Sequence, residues 1–75
     1  MNHTNQQPHA GTVLNSLIKV VGEILKGEPT GTPSGILYAA LMQYGCSLQT
    51  YETLIDAFIR TGKVRKSGNL LYWIN

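Results

Sequence analysis

The sequence is poor in the residues that build catalytic and metal sites. Its 75 residues include one cysteine, two histidines and four acidic residues. A single cysteine excludes an intrachain disulfide and a cysteine-based metal cluster. His3 could join the amino terminus around Cu(II) or Ni(II), but one histidine in a polar stretch is thin support, and His9 has no partner at ligand spacing. We predict no metal and no cofactor. With no Ser-His or Cys-His set and no phosphate loop, we also predict no enzyme.

Charge and long apolar runs are scarce as well. Charged residues make up 13% of the chain, against about 25% in an average protein. The net charge of +2 is too small by itself to indicate a nucleic-acid partner. The longest apolar run, residues 36–42, is far shorter than the roughly 20 residues of a membrane span. No basic segment followed by an apolar run opens the chain. The expectation is a cytoplasmic protein without a membrane segment.

The distribution of polar and apolar residues along the chain predicts a short tail and one small domain. Residues 1–10 are polar and aperiodic, which predicts a disordered tail, and residues 11–75 form the domain. A domain of this size is marginal alone, so a homodimer is expected. The first helix starts at residue 11 or 12 and ends at Lys26, with Gly22 on its polar side. Its apolar side comprises Val13, Leu14, Leu17, Ile18, Val21, Ile24 and Leu25.

The second helix is almost devoid of polar surface. Thr32 is a good N-cap and Pro33 suits the first helical position, with the helix running on to residue 43. The residues expected to share the core side are Ile36, Leu37, Ala40, Leu41 and Tyr44. Tyr38 and Met42 then point away from it, as candidates for a contact with a second copy or another protein. The alternative is that they are partly exposed or lie under the first helix.

The third helix and the segment after it have the clearest local signals. Ser47 is the predicted N-cap, the helix covers residues 48–61, and Gly62 ends it. Cys46, in the turn before the helix, is predicted to pack between helices. Apolar residues on one side are Leu48, Tyr51, Leu54, Ile55, Phe58 and Ile59, and the other side carries Gln49, Thr53, Asp56, Ala57 and Arg60. Two short strands folded at residues 67–69 follow, with Leu71 and Trp73 on one side and Leu70, Tyr72 and Ile74 on the other.

The basic residues cluster near the C-terminal end of the third helix. Four of the six lie within residues 60–66, a modest electrostatic footprint for nucleic acid. Hydroxyls, amides and helix N-termini also hold phosphates, and Gln or Thr reads base edges in a major groove. The candidate DNA-binding residues are therefore Thr32, Ser34, Gln49, Thr50, Thr53, Arg60, Lys63, Arg65, Lys66 and Asn69. Glu52 and Asp56 oppose this interpretation, because they repel phosphates and Asp56 can pair with Arg60.

Several segments together resemble small bacterial winged helix-turn-helix proteins. They are residues 32–35 opening a helix, the turn at residues 45–47, the helix of residues 48–59, residues 62–66 and residues 70–73; residues 61–64 are similar to the step into the wing. The resemblance implies an α+β fold of three helices with a C-terminal β-hairpin wing, gaining a third strand if residues 28–32 contribute one. It also implies contact with double-stranded DNA through the third helix and the wing. Winged helices serve as protein-interaction modules too, so that function is the alternative.

Overall fold

Three helices precede a C-terminal hairpin in the computed structural model, which describes residues 10–74. The helices are α1 (Ala10–Lys26), α2 (Ser34–Met42) and α3 (Leu48–Arg60). The strands are β1 (Thr32–Pro33), β2 (Val64–Ser67) and β3 (Leu70–Trp73). All pairings are antiparallel, and β3 lies between β1 and β2. The α+β prediction is confirmed. The predicted tail lies outside the described residues apart from Ala10, which is the first residue of α1.

The core forms where the helices cover one face of the sheet. Leu17, Val21 and Leu25 reach it from α1, while Leu71 is fully buried on β3. Trp73 packs against this core, with its ring 6.0 Å from that of Phe58 and 3.6 Å from where a Cβ on Gly22 would lie. Leu71 and Trp73 therefore share the side of β3 that faces the helices, as predicted. Gly22, however, is buried against Trp73 rather than exposed on a polar side.

The predicted apolar stripe of α1 is only partly buried. Leu14 and Ile18 keep 43% and 39% of their surface exposed, although both share a side with the buried Leu17 and Val21. Leu14 and Ile18 instead line a groove that runs between α1 and α3. A wide apolar stripe therefore both fills the core and reaches the surface here.

The start of α2 differs from the prediction. Thr32 is not the helix N-cap, because it belongs to β1, where it pairs with Leu71. Pro33 occupies the cap position with an extended backbone and no side-chain cap, and the helix begins at Ser34. The Ser34 amide donates to the carbonyl oxygen of Asn69 at 2.9 Å. Local sequence preference assigns Thr32 and Pro33 to the start of the helix, but both residues pair with β3 instead.

The buried side of α2 also differs. Leu37 and Leu41 are fully buried, but Ile36 is 63% exposed and Tyr44 is 53% exposed. Met42 is exposed as predicted, whereas Tyr38 is half-buried with its ring 5.1 Å from the ring of Tyr51. Because nearly every residue of α2 is apolar, hydrophobic periodicity could not single out the buried side.

The boundaries of α3 agree with the prediction to within one residue. The Ser47 side chain accepts a hydrogen bond from the Thr50 amide at 3.1 Å, which confirms the N-cap. At the other end Gly62 adopts a φ of 78°, and the Lys63 amide donates to the Phe58 carbonyl at 2.9 Å. This is the Schellman arrangement, in which a left-handed glycine lets the chain leave the helix. It directs the chain immediately into β2.

Candidate nucleic-acid interface

The outward side of α3 carries the predicted polar strip. Gln49, Thr53, Asp56 and Arg60 are all exposed. Tyr51, Leu54, Ile55 and Phe58 occupy the opposite, buried side. The three- and four-residue spacing of the exposed set places it along one helix face. The expectation that Phe58 and Ile55 point inward while Gln49, Thr53 and Arg60 point outward is confirmed. Leu48 and Ile59 remain 52% and 38% exposed, so the apolar side extends to the surface at its edge.

Acidic residues limit the positive charge of this strip. The Arg60 guanidinium lies 3.2 Å from the Asp56 carboxylate, four residues earlier on the helix. Both side chains are largely exposed, so the pair contributes little to stability. It does hold Arg60 beside a negative charge. Any phosphate contact by Arg60 therefore competes with Asp56.

The basic cluster of the sequence is divided by the hairpin. Lys63 precedes β2, and the alternation of side chains along β2 places Lys66 on the same face as the buried Val64. Arg65 points to the other face, where its guanidinium lies 4.2 Å from the centre of the Tyr72 ring. Lys66 thus faces the helices and Arg65 faces away from them. Residues adjacent in sequence do not form one basic surface here.

Two residues near the start of α2 that were predicted to contact phosphate interact within the protein instead. Thr32 is 2% exposed, so its assignment to a surface contact is wrong. Ser34 donates from its hydroxyl to the Tyr51 hydroxyl at 2.6 Å, and that hydroxyl donates to the Ser34 carbonyl oxygen at 3.0 Å. Burial is the largest influence on the Tyr51 pKa and raises it, which keeps the donor protonated. These bonds tie α2 to α3.

The Thr32 hydroxyl is buried without a hydrogen-bond partner among the described residues. An unsatisfied buried polar group costs about 1–3 kcal/mol, so Thr32→Val should stabilise the protein by roughly 1 kcal/mol. Urea unfolding measures this as a higher midpoint concentration, with the slope of the free energy of unfolding against urea concentration unchanged. Thr30→Val is the matched control at an exposed position and should shift the midpoint little. A destabilised Thr32→Val protein would show that the hydroxyl is satisfied.

A groove of about 420 Å³ lies between the start of α2, one side of α3 and the hairpin tip. It brings together Ser34, Lys66 and Asn69 from the predicted set. The remaining lining residues are Gly35, Tyr38, Leu48, Tyr51, Glu52, Ile55 and Asp56. Sequence reasoning did not find this groove. The one available signal was Tyr51, a tyrosine on the buried side of a helix, whose hydroxyl needs a polar partner.

A second, more apolar groove of about 390 Å³ lies between α1 and α3. It is lined by Leu14, Ile18, Gln49, Thr50, Thr53, Leu54 and Ala57. Thr50 is exposed but engaged locally, because its amide donates to the Ser47 hydroxyl and its own hydroxyl accepts from it. The predicted polar strip therefore runs along the ridge between the two grooves.

Cys46 is a packing residue, as predicted. It is 5% exposed and its thiol donates weakly to the Ser47 carbonyl oxygen at 3.5 Å. Burial raises the pKa of the thiol, which disfavours the nucleophilic thiolate. Within residues 10–74 no group of His, Cys, Asp and Glu is arranged to hold a metal ion. The interpretation of His3 and His9 lies outside the described residues.

Comparison of the chain with protein-family models, curated proteins and solved structures finds no match. Function must therefore be inferred from the chain's own geometry. In the described part of the chain, none of the helices combines the length and the apolar character needed to cross a bilayer.

Proposed function

We propose that the chain is a winged helix domain that binds double-stranded DNA with α3 and the hairpin. The order helix, strand, two helices and hairpin, with β3 between β1 and β2, supports the winged helix assignment. The short turn between α2 and α3 gives the helix-turn-helix unit. Gly45 there has a φ of 81°, and the Cys46 amide donates to the Leu41 carbonyl.

The DNA proposal rests on one observation. The exposed strip of α3, with Gln49 and Thr53, lies beside a hairpin in which Lys66 faces the helices. Gln49 and Thr53 can reach base edges when α3 enters a major groove. Lys63 and Lys66 can then contact phosphates on the flanking backbone. Asn69 at the tip adds an amide. The proposed interface therefore comprises six of the ten predicted residues and leaves out Thr32, Ser34, Thr50 and Arg65. The six are Gln49, Thr53, Arg60, Lys63, Lys66 and Asn69.

The test is duplex binding as a function of salt, with two variants of equal charge change. Lys66→Ala should weaken binding and lower the slope of log K against log salt by about 1, because one phosphate contact is lost. Arg65→Ala removes the same charge from the opposite face of the hairpin and should leave that slope nearly unchanged. Fluorescence anisotropy with a labelled duplex, starting near 50 mM salt, measures both.

Two results would contradict the DNA proposal. One is the absence of salt-dependent duplex binding at low salt. The other is an equal loss in Arg65→Ala and Lys66→Ala, which would show a general charge effect. Circular dichroism of each variant verifies that the fold is retained, since Arg65 stacks on Tyr72.

The second candidate function is a protein-interaction module without DNA binding, with a homodimer as one form. It is favoured by the exposed side of α2, where Ile36 and Met42 are 63% and 53% exposed. No charged residue occurs between Glu28 and Glu52, so this surface presents no cationic side chain to phosphates. Absence of duplex binding in the experiment above would favour this candidate.

A further inference from the structure

The groove between α2, α3 and the hairpin has a charge pattern unsuited to phosphate. Its two acidic residues, Glu52 and Asp56, come from α3, and its one lysine, Lys66, comes from the hairpin. Asp56 pairs with Arg60, which does not line the groove. In the described part of the chain no salt bridge engages Glu52. A ligand beside α3 therefore meets an unpaired carboxylate.

The groove also has an apolar and aromatic base. Tyr51 and Ile55 are 5% and 7% exposed, and the half-buried Tyr38 packs against Tyr51 with 5.1 Å between ring centres. Leu48, 52% exposed, lines the groove from the first turn of α3. The hydrogen bonds between Ser34 and Tyr51 satisfy the tyrosine hydroxyl and hold α2 against α3. The base is therefore preformed.

From these features we propose that the groove binds a polypeptide segment in which a lysine or arginine adjoins an apolar side chain. Charge complementarity selects the cation: the unpaired Glu52 attracts it, Asp56 attracts it less because Arg60 already pairs with Asp56, and the Tyr38 ring in the groove lining offers a cation–π contact. Tyr51, Ile55 and Leu48 accept the apolar neighbour. On the hairpin side, Lys66 and Asn69 donate hydrogen bonds to backbone carbonyl oxygens of the segment. A phosphate inside the groove, beside α3, is repelled by Glu52.

The volume of the groove is large enough for a few residues of a peptide segment. At about 420 Å³ the groove falls within the range of roughly 300–1,000 Å³ found for small-ligand sites. It is open rather than enclosed, which suits a continuous chain that enters and leaves. The two proposals share Lys66 and Asn69, but the peptide site does not depend on DNA binding, because its cation and apolar contacts use Glu52, Tyr38 and Ile55, which are not part of the DNA interface.

The test is a ¹⁵N-labelled NMR titration of the whole chain with two tripeptides. Acetyl-Leu-Arg-Leu-amide should produce saturable shifts, with a Kd on the order of millimolar given the few anchoring groups. The shifts should centre on the amides of residues 34–38, 48–56 and 66–69. Acetyl-Leu-Glu-Leu-amide has the same apolar content and the opposite charge, and should bind at least several-fold more weakly.

Matched variants assign the effect to the groove. Glu52→Gln should weaken the arginine peptide roughly two- to fivefold, the range for one partly solvated ion pair. Glu23→Gln makes the same charge change at an exposed site on α1 outside the groove and should not affect binding. The proposal is overturned if the arginine peptide gives no saturable shifts, if shifts map to the α1–α3 groove, or if both peptides bind equally.

The same samples separate this proposal from the DNA proposal. If α3 does bind duplex DNA, Glu52→Gln should strengthen that binding, because it removes a charge that repels phosphates. If no variant binds a duplex, the DNA proposal fails while the peptide titration still decides the groove. If Glu52→Gln strengthens DNA binding and no peptide binds, Glu52 acts only by repelling phosphates, and the peptide site is overturned.

Discussion

Leu71→Ala is expected to lower the free energy of unfolding by about 2–5 kcal/mol, the cost of a large cavity in a rigid core. Leu71 is fully buried, and its backbone pairs with Thr32 on one side and Lys66 on the other. It therefore lies where the whole sheet meets the helices. Small domains are often stable by only about 5 kcal/mol, so a measurable unfolded fraction without denaturant is expected. Urea unfolding followed by circular dichroism measures the loss.

The control for this experiment is Ile74→Ala, just beyond β3. Ile74 is 42% exposed, so the same truncation there should cost well under half as much. Equal costs at the two positions would mean that Leu71 does not occupy the core. Such a result would also remove the basis for placing Lys66 on the face towards the helices, since the two residues are paired in the ladder.

Much of the C-terminal half of the fold could be predicted, because its signals are local. The Ser47 cap, the Gly62 exit and a tight turn with Gly68 at a φ of 59° each depend on a few adjacent residues. The helical period of the apolar residues in α3 then fixes the direction in which its exposed strip faces. Ring packing of Trp73 follows from strand alternation once the hairpin is placed.

The predictions for α2 were partly wrong because contacts between residues far apart in sequence outweigh local preference there. Thr32 and Pro33 have the chemistry of a helix start, yet pairing with Leu71 and Leu70 makes them a strand. On α2 the apolar residues surround the helix, so only packing against α1 and α3 selects Leu37 and Leu41. No pattern in a single sequence contains that information.

The candidate site shows the same division. The outward position of Gln49 and Thr53 follows from helical period, and the separation of Arg65 from Lys66 follows from strand alternation, a local rule that a count of basic residues along the sequence does not apply. A cluster counted along the sequence thus overestimates the basic surface. The groove at Glu52 was missed because it combines three elements whose approach depends on tertiary packing.

The second large effect is expected at Gly31, which precedes β1. Gly31 has a φ of 103°, and a Cβ there would lie 2.8 Å from the Tyr72 ring. Gly31→Ala combines backbone strain of about 1–3 kcal/mol with overpacking of about 1–3 kcal/mol. A marked fall in the urea midpoint is expected. Gly35→Ala, in α2 with open space at its Cβ, should be neutral or stabilising.

A double-mutant cycle with Tyr72→Ala separates the two causes. Removing the Tyr72 ring relieves the clash but not the backbone strain, so Gly31→Ala should cost less in the Tyr72→Ala background by an amount equal to the overpacking. If the cost is the same in both backgrounds, the ring moves aside freely and only the φ angle matters. If Gly31→Ala costs nothing in either, the turn into β1 does not need a left-handed residue. Because Gly31 sets the approach of β1 to β3, a loss there should also loosen the start of α2, where Ser34 is anchored to Asn69 and Tyr51.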